Sequence, residues 1–508
     1  MTHSTKSIIV NPRAASLIES LRAFGYDLKT ALADLIDNSI TAGAKTIWID
    51  FHWNGPDSCI SVTDDGRGMS APELVEAMRV GSQSPLEDRE SEDLGRFGLG
   101  MKTASFSQCR CLTVRSKVTS NKTIESLCWD LDYVSECGEW RVLKNISSAA
   151  TDHSKRLSEL KSGAVILWES MDRIVGNEDA NDETAKDNFF ARIDEVKEHL
   201  AMVFHRFMSG TNPLVICVNS RVVEPWDPYL ENKEATQRLP DERFKLRGQE
   251  ILVTPYILPH HSKIGRETHE KAAGPQGWNA HQGFYIYRNR RLLVPGDWLG
   301  LGFQKEEHFK LARIMLDIPN SMDDLWAIDV RKARAHPPTE LRKDLRRIAR
   351  LTRQKASDIY RHRGKVVARS TAAAYVFAWE KKVKHGKIFY RINRKHPLVK
   401  ESLNCSPEEK DRIRALLVLL EETIPVPSII IDNAERPDSQ PQPFERPPSG
   451  ELFAVLEELY KALINQELSH EEAQKRLSTI DPFDRYPEQV AAFLEKLNRE
   501  LHKGDTDG

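Results

Sequence analysis

The stretch TDDGRGM (63–69) follows the apolar run SCISV (58–62), and its reading decides the fold. Ile, Val and alternating small residues predict a strand that delivers Asp64 to its end. A carboxylate leaving a strand can accept a hydrogen bond from an exocyclic amine such as that of adenine. Gly66 and Gly68 let the backbone turn tightly and approach a ligand, a freedom other residues lack. Alone, the pattern is also that of a simple Asp-Gly turn.

Two neighbouring stretches change that balance. Upstream, LKTALADLIDNSI (28–40) carries apolar residues at helical spacing. Asp34 and Asn38 stand i, i+4 and share one helix face, whereas Asp37 points elsewhere. A carboxylate and a carboxamide on one face can hold a water and a hydrated magnesium ion. Downstream, Gly95-Arg96-Phe97-Gly98-Leu99-Gly100-Met101-Lys102-Thr103 runs from a glycine-rich loop into the predicted helix 101–107. Free N–H groups at a helix start suit phosphate oxygens. The spacing is not that of a P-loop.

In this order, the three clusters resemble the N box and the two glycine boxes of the Bergerat-fold ATPases. That superfamily, GHKL, spans DNA gyrase, the ninety-kilodalton heat-shock chaperone, histidine kinases and MutL. The resemblance covers roughly residues 10–175. It implies an ATP site in which Asp64 binds adenine and Gly66, Gly68 and Met69 line the base pocket. Asn38 would hold magnesium, and the run Arg96, Phe97, Gly98, Leu99, Gly100, Met101, Lys102 and Thr103 would border the phosphates. Residues 81–97 would be a lid. Two positions depart from the family pattern. Asp34 stands where a water-activating Glu is usual, which implies slow hydrolysis. Gly163-Ala164 stands where Gly-Thr is usual, so the hydroxyl supporting Asp64 is expected from Thr63 instead.

Outward from this core, AKTIWIDFHW (44–53), CLTVRSK (111–117), IESLCWDLDYV (124–134) and AVILWES (164–170) read as strands. RAASLIESLRAFG (13–25) and residues 189–209 read as helices. A second block at 212–335 offers strands at 213–223, 282–294 and 308–319. GFYIYRNRRLL (283–293) followed by AIDVRKARAHPP (327–338) resembles MORC ATPases and their MutL-like relatives. There a transducer domain supplies a lysine to the γ-phosphate. Lys332 fits that role, with Arg331 and Arg334 as fallbacks. Between 340 and 369 stand eleven Lys/Arg against three Asp/Glu. Arg342, Lys343, Arg346, Arg347, Arg350 and Arg353 form a stripe that can track nucleic-acid phosphates.

The reading is an α+β chain divided as an ATPase domain (1–210), a transducer domain (211–338), a basic helical region (339–424), a proline-rich linker (425–450) and C-terminal helices (451–508). The resemblance implies an ATPase clamp using ATP and magnesium that dimerises on ATP, with DNA and restriction-modification or defence proteins as partners. A chaperone acting on protein clients, a topoisomerase subunit, and a nucleotide-binding scaffold with little turnover are the alternatives. With 73 Lys/Arg against 75 Asp/Glu, net charge points to no partner, so any basic surface is local. No apolar run is long enough to span a membrane, and the start MTHSTKSIIVNPR predicts no secretory signal. Seven cysteines without a C-x-x-C pair disfavour a disulfide framework or zinc site and favour the cytoplasm.

Overall fold

Apolar alternation along 46–52 and 59–64 produces two antiparallel strands at the centre of a sheet, β1 (Thr46–His52) and β2 (Cys59–Asp64), in a computed structural model of the chain. The structure describes residues 12–23, 25–81, 100–121, 123–176, 179–328, 335–361, 376–384, 387–426, 428–429, 450–480, 483 and 486–504. The chain divides into two compact units, Met1–Lys365 and Val366–Gly508.

The first unit holds two sheets. In the N-terminal one the strands run β4-β3-β5-β2-β1-β6-β7, where β3 is Cys111–Lys117, β4 Glu125–Asp130, β5 Gly163–Glu169, β6 Val215–Val218 and β7 Arg221–Val222. Helices α1 (Ala14–Arg22), α2 (Leu28–Thr41), α3 (Ala71–Met78), α4 (Gly100–Phe106) and α8 (Glu183–Val203) pack against it through Ile18, Leu32, Ile36, Leu74, Phe106 and Leu200. Burying such side chains stabilises by about 1.5–3 kcal/mol each before entropy is counted. Helices α5 (Leu131–Cys137), α6 (Ser148–Asp152) and α7 (Lys155–Glu159) are short; Ala150 of α6 packs on Cys59 and Leu167 in a separate small cluster.

The expected strand at 124–134 ends at 130, because the Asp130 side chain accepts from the N–H groups of Asp132 and Tyr133 and caps α5. The expected helix at 189–209 begins at 183 and ends at 203, its start set by Asp182 accepting from Ala185 N–H. The hairpin at 213–223, expected in the second block, joins the first sheet: β6 runs parallel to β1, pairing Thr46 with Val215. A short apolar hairpin reads the same in any sheet, and a partner some 170 residues away leaves no local signal.

The second sheet runs β12-β11-β13-β10-β8, with β9 on β10; these are β8 (Gln237–Arg238), β9 (Glu242–Leu246), β10 (Gln249–Ile257), β11 (Gly283–Arg288), β12 (Arg291–Asp297) and β13 (Ala312–Ile318). One face buries Phe284, Ile286 and Ile314 against α10 (Arg342–Arg361), and α9 (Arg266–Ala272) adds Ala272. The other face gathers Tyr229, Tyr256, Tyr285 and Tyr287 with Met202 of α8. Tyr285 and Tyr287 are therefore sheet-packing residues, as their alternation predicts.

The second unit contains a hairpin, β14 (Trp379–Lys384) with β15 (Lys387–Ile392), and helices Pro397–Ser402, Pro407–Glu422, Gly450–Ile464, His470–Leu477 and Pro487–Gly504. Leu456, Leu459, Leu477 and Phe493 form its core. The segment 339–424, expected as a basic helical region, splits: α10 belongs to the first unit, and a hairpin with two helices follows in the second. Most of 425–450 lies outside the described residues. No helix among the described residues is long and apolar enough to cross a membrane.

Candidate functional site

Helix α2 starts cleanly because Asp27 caps it, accepting from Thr30 N–H at 2.9 Å. Its polar residues face different surroundings. Asn38 is exposed, whereas Asp34 is 3% and Asp37 1% exposed. Asp34 Oδ2 lies 3.9 Å from where a Cβ on Gly100 would stand, so the carboxylate faces the first residue of α4. Asp37 faces the second sheet instead, where its Oδ1 accepts from Arg291 Nε at 2.8 Å.

Asp64 ends β2 opposite Ala164 of β5. Its Oδ1 accepts from Gly66 N–H at 2.9 Å and its Oδ2 from the Ser39 hydroxyl at 2.9 Å. Burial pushes the Asp64 carboxyl above its ordinary range, opposed by the Gly66 and Ser39 hydrogen bonds and a further one from the Ala164 backbone. The hydroxyl sought at Thr63 comes from Ser39. Successive strand residues point to opposite faces, so Thr63 cannot reach its neighbour's carboxylate. Ser39 gives no signal in the sequence, since a serine beside Asn38 reads as ordinary helix surface.

The glycines around Asp64 are sterically required. Gly68 has φ +71°, and a Cβ there would meet the Lys117 carbonyl oxygen at 2.0 Å. Gly163 has φ +152°, and its Cβ would meet the Asp64 carbonyl oxygen at 2.1 Å. Met69 follows, half-buried, its N–H donating to Ser116 Oγ at 2.7 Å. Ser116 in turn donates to Gly163 O at 3.1 Å, which ties the turn to β3 and β5.

Of the glycine-rich loop, Gly100, Met101, Lys102 and Thr103 are described; Arg96, Phe97, Gly98 and Leu99 lie outside the described residues, as does most of the expected lid. Lys102 does not turn outward. Its Nζ donates to Ala77 O at 2.9 Å, at the last turn of α3, and burial lowers its pKa to about 8. Lys332, Arg331 and Arg334 also lie outside the described residues, between the buried residues Ile328 and Ala335.

The basic stripe of α10 is partly engaged with the second sheet. Arg342 donates to Gly300 O at 2.8 Å and Arg346 to Leu301 O at 3.1 Å. Arg347 pairs with Glu242. Arg353 is 7% exposed, donates to Gln304 O at 2.8 Å and stacks over Phe309 at 3.7 Å. It cannot reach a phosphate outside the protein, so it leaves the expected nucleic-acid set. Lys343 and Arg350 are exposed and have no protein partner among the described residues. The turn at 288–291 is partly committed inward: Arg288 is buried and bonds Asp323 at 2.6 Å, whereas Arg290 is exposed and donates to the Arg206 carbonyl.

Residues 26–164 match the family described as histidine kinase-, DNA gyrase B- and HSP90-like ATPase. The chain carries a GHKL ATPase domain. Over this region it is similar to the ATPase morc-1 of Caenorhabditis elegans, 32% identical over 88 residues. It is 34% identical over 90 residues to the DNA mismatch repair protein MutL of Dictyoglomus turgidum, and 36% over 90 to MutL of Rhizorhabdus wittichii. These matches cover 17–18% of this chain and only 10%, 16% and 15% of the respective relatives. Asp64, Gly66 and Gly68 fall inside the matched GHKL region, as do Asp34, Asn38 and Gly100, whereas the second sheet and α10 lie beyond it.

Proposed function

We propose that the chain is an ATP-driven switch that binds ATP at the Asp64 turn and hydrolyses it slowly. One observation carries the reading. A buried carboxylate closes a strand with its oxygens held by Ser39 and Gly66, and a second, Asp34, faces the first residue of α4. Burying carboxylates costs free energy, and a cluster of them at a strand end and a helix start is where binding sites concentrate such groups.

In this reading Asp64 accepts the adenine amine, and the backbone around Gly66 and Gly68 lets the base come close. Exposed Asn38, one turn from Asp34, fits a hydrated magnesium ion, which when bound would offset phosphate charge. Asp34 takes the proton of the attacking water while the water oxygen bonds the γ-phosphorus and the bond to the β–γ bridging oxygen breaks. As the shorter carboxylate, it reaches less far than Glu, so turnover is slow. Lys332 is the proposed γ-phosphate sensor. ATP closes a dimer, and exposed Lys343 and Arg350 contribute to contact with DNA. Action on DNA extends the likeness to the DNA mismatch repair protein MutL.

A second reading, a clamp that holds ATP without turnover, is favoured by Asp34 alone, which is short, buried and close to Arg291. Phosphate release by the wild type and Asp34→Ala separates the two. The switch reading requires slow wild-type turnover, lost by roughly two orders of magnitude in Asp34→Ala with nucleotide affinity unchanged. Wild-type affinity without turnover selects the clamp.

A further inference from the structure

Arg291 is the residue of the first unit whose placement demands most explanation. In the sequence it ends a basic run, RNRR (288–291), that invites a reading as surface charge. In the fold it is 2% exposed. From the first position of β12 it crosses to α2, placing Nε 2.8 Å from Asp37 Oδ1 and Nη2 3.8 Å from Asp34 Oδ1. The Phe204 ring lies 5.8 Å from its guanidinium carbon.

The turn that presents Arg291 is itself fixed. Asn289 and Arg290 adopt left-handed backbone, φ 46° and 68°. Arg288 is buried on Asp323, and Arg290 is held by the carbonyl of Arg206. The position of the guanidinium is therefore set by the second sheet, while its carboxylate neighbours belong to the GHKL domain. The two oxygens of Asp34 have different surroundings: Oδ1 is on the Arg291 side, and Oδ2 faces Gly100. Two buried carboxylates one helical turn apart repel each other, and a cation beside both compensates them. A planar guanidinium presents its donors in a fixed fork, whereas an ammonium is a compact charge on a flexible stem.

We propose that Arg291 is a positioning residue for Asp34: the second sheet, through this one side chain, holds the α2 carboxylates so that Asp34 Oδ2 stays aimed at the start of α4. The inference rests on the reading of Asp34 as the base. It makes the seating of the second sheet a condition for turnover, separate from any interaction of Lys332 with the nucleotide.

The test uses the full chain. Phosphate release gives kcat, and calorimetry with a non-hydrolysable ATP analogue gives affinity. The proteins are wild type, Arg291→Ala, Arg291→Lys, Asp37→Asn, Asp34→Ala and Asp34→Ala/Arg291→Ala. Arg291→Ala should lose kcat by about tenfold or more, the scale of a misplaced catalytic group. Its analogue affinity should stay within about twofold, since the base pocket is intact. In the Asp34→Ala background the Arg291 change should cost nothing further, and Arg291→Lys should recover part of the rate. Normal kcat in Arg291→Ala overturns the proposal, as does a parallel drop in affinity or an undiminished effect without Asp34. If Arg291→Ala does not fold, Arg291→Lys and Asp37→Asn decide by the same split between rate and affinity. Normal turnover in Asp34→Ala would remove the base assignment itself, and this inference with it.

Discussion

Asp64 is legible in the sequence because its surroundings are local: a strand before it and Gly-x-Gly after it. Its supports are not. Ser39 comes from a helix 25 residues away, and a hydroxyl on a helix carries no mark of the face it serves. Arg291 reaches Asp37 across 254 residues, a separation at which one sequence offers no pairing signal. Asp64→Asn replaces one acceptor oxygen with an NH2 donor, and the single oxygen left cannot serve the adenine amine as well as the Ser39 and Gly66 donors. ATP affinity should therefore fall about ten- to a hundredfold by calorimetry, the equivalent of roughly 1–3 kcal/mol. The same residue gives a pH prediction. Burial raises the Asp64 pKa, so the native chain binds that proton more tightly than the unfolded chain. Its contribution to stability is then greatest below the ordinary carboxylate pKa and is lost as pH rises through the raised one. Urea unfolding of the nucleotide-free chain across that window should show this loss in the wild type. Asp64→Asn should lack that component, and identical slopes would refute the assignment.

At the scale of elements, α10 shows why periodicity finds a helix and misjudges its face. Six Arg and Lys at three- and four-residue spacing describe a stripe, and the stripe exists. What the sequence cannot register is that the loop at 300–306 presents carbonyl oxygens that no strand satisfies. Such carbonyls accept from any donor within reach, and each guanidinium brings five N–H groups. Arg342, Arg346 and Arg353 donate to Gly300, Leu301 and Gln304. The helix therefore divides by function between its faces. Arg353→Ala should destabilise the first unit by about 2 kcal/mol, since it strips a buried charged donor from Gln304 O and the aromatic stack on Phe309. Lys343→Glu/Arg350→Glu should leave the melting temperature within about 1 °C, as exposed charges usually do. Thermal melts of both variants check the division, and a drop in the second variant equal to the first would contradict it.

At the scale of the whole molecule, the fold class follows from three motifs in the first 105 residues, but assembly does not. The GHKL region is recognisable because each cluster must meet a fixed ligand shape. The second sheet has no such constraint: β8 to β10 carry no motif, and β6 reads as part of the second block because hairpins are anonymous until paired. The behaviour expected of the assembly follows from which groups need the γ-phosphate. Gly98 at the loop and Lys332 beyond the second sheet are both proposed to touch it, and ADP lacks it. A non-hydrolysable ATP analogue should therefore shift the protein toward a dimer, while ADP should not; light scattering with each nucleotide measures this. Closing the dimer brings two copies of α10 onto one assembly, so DNA affinity should rise with the analogue. With Arg353 buried and Arg342, Arg346 and Arg347 already hydrogen-bonded within the protein, Lys343 and Arg350 are the stripe residues whose donors can turn to phosphates. Reversing both should weaken binding to all DNA sequences alike and flatten the salt dependence, by a slope of about one for each phosphate no longer neutralised. The dimer should survive that substitution. A monomer in every nucleotide state would end the clamp reading. DNA binding untouched by Lys343→Glu/Arg350→Glu would move the DNA-binding surface away from α10.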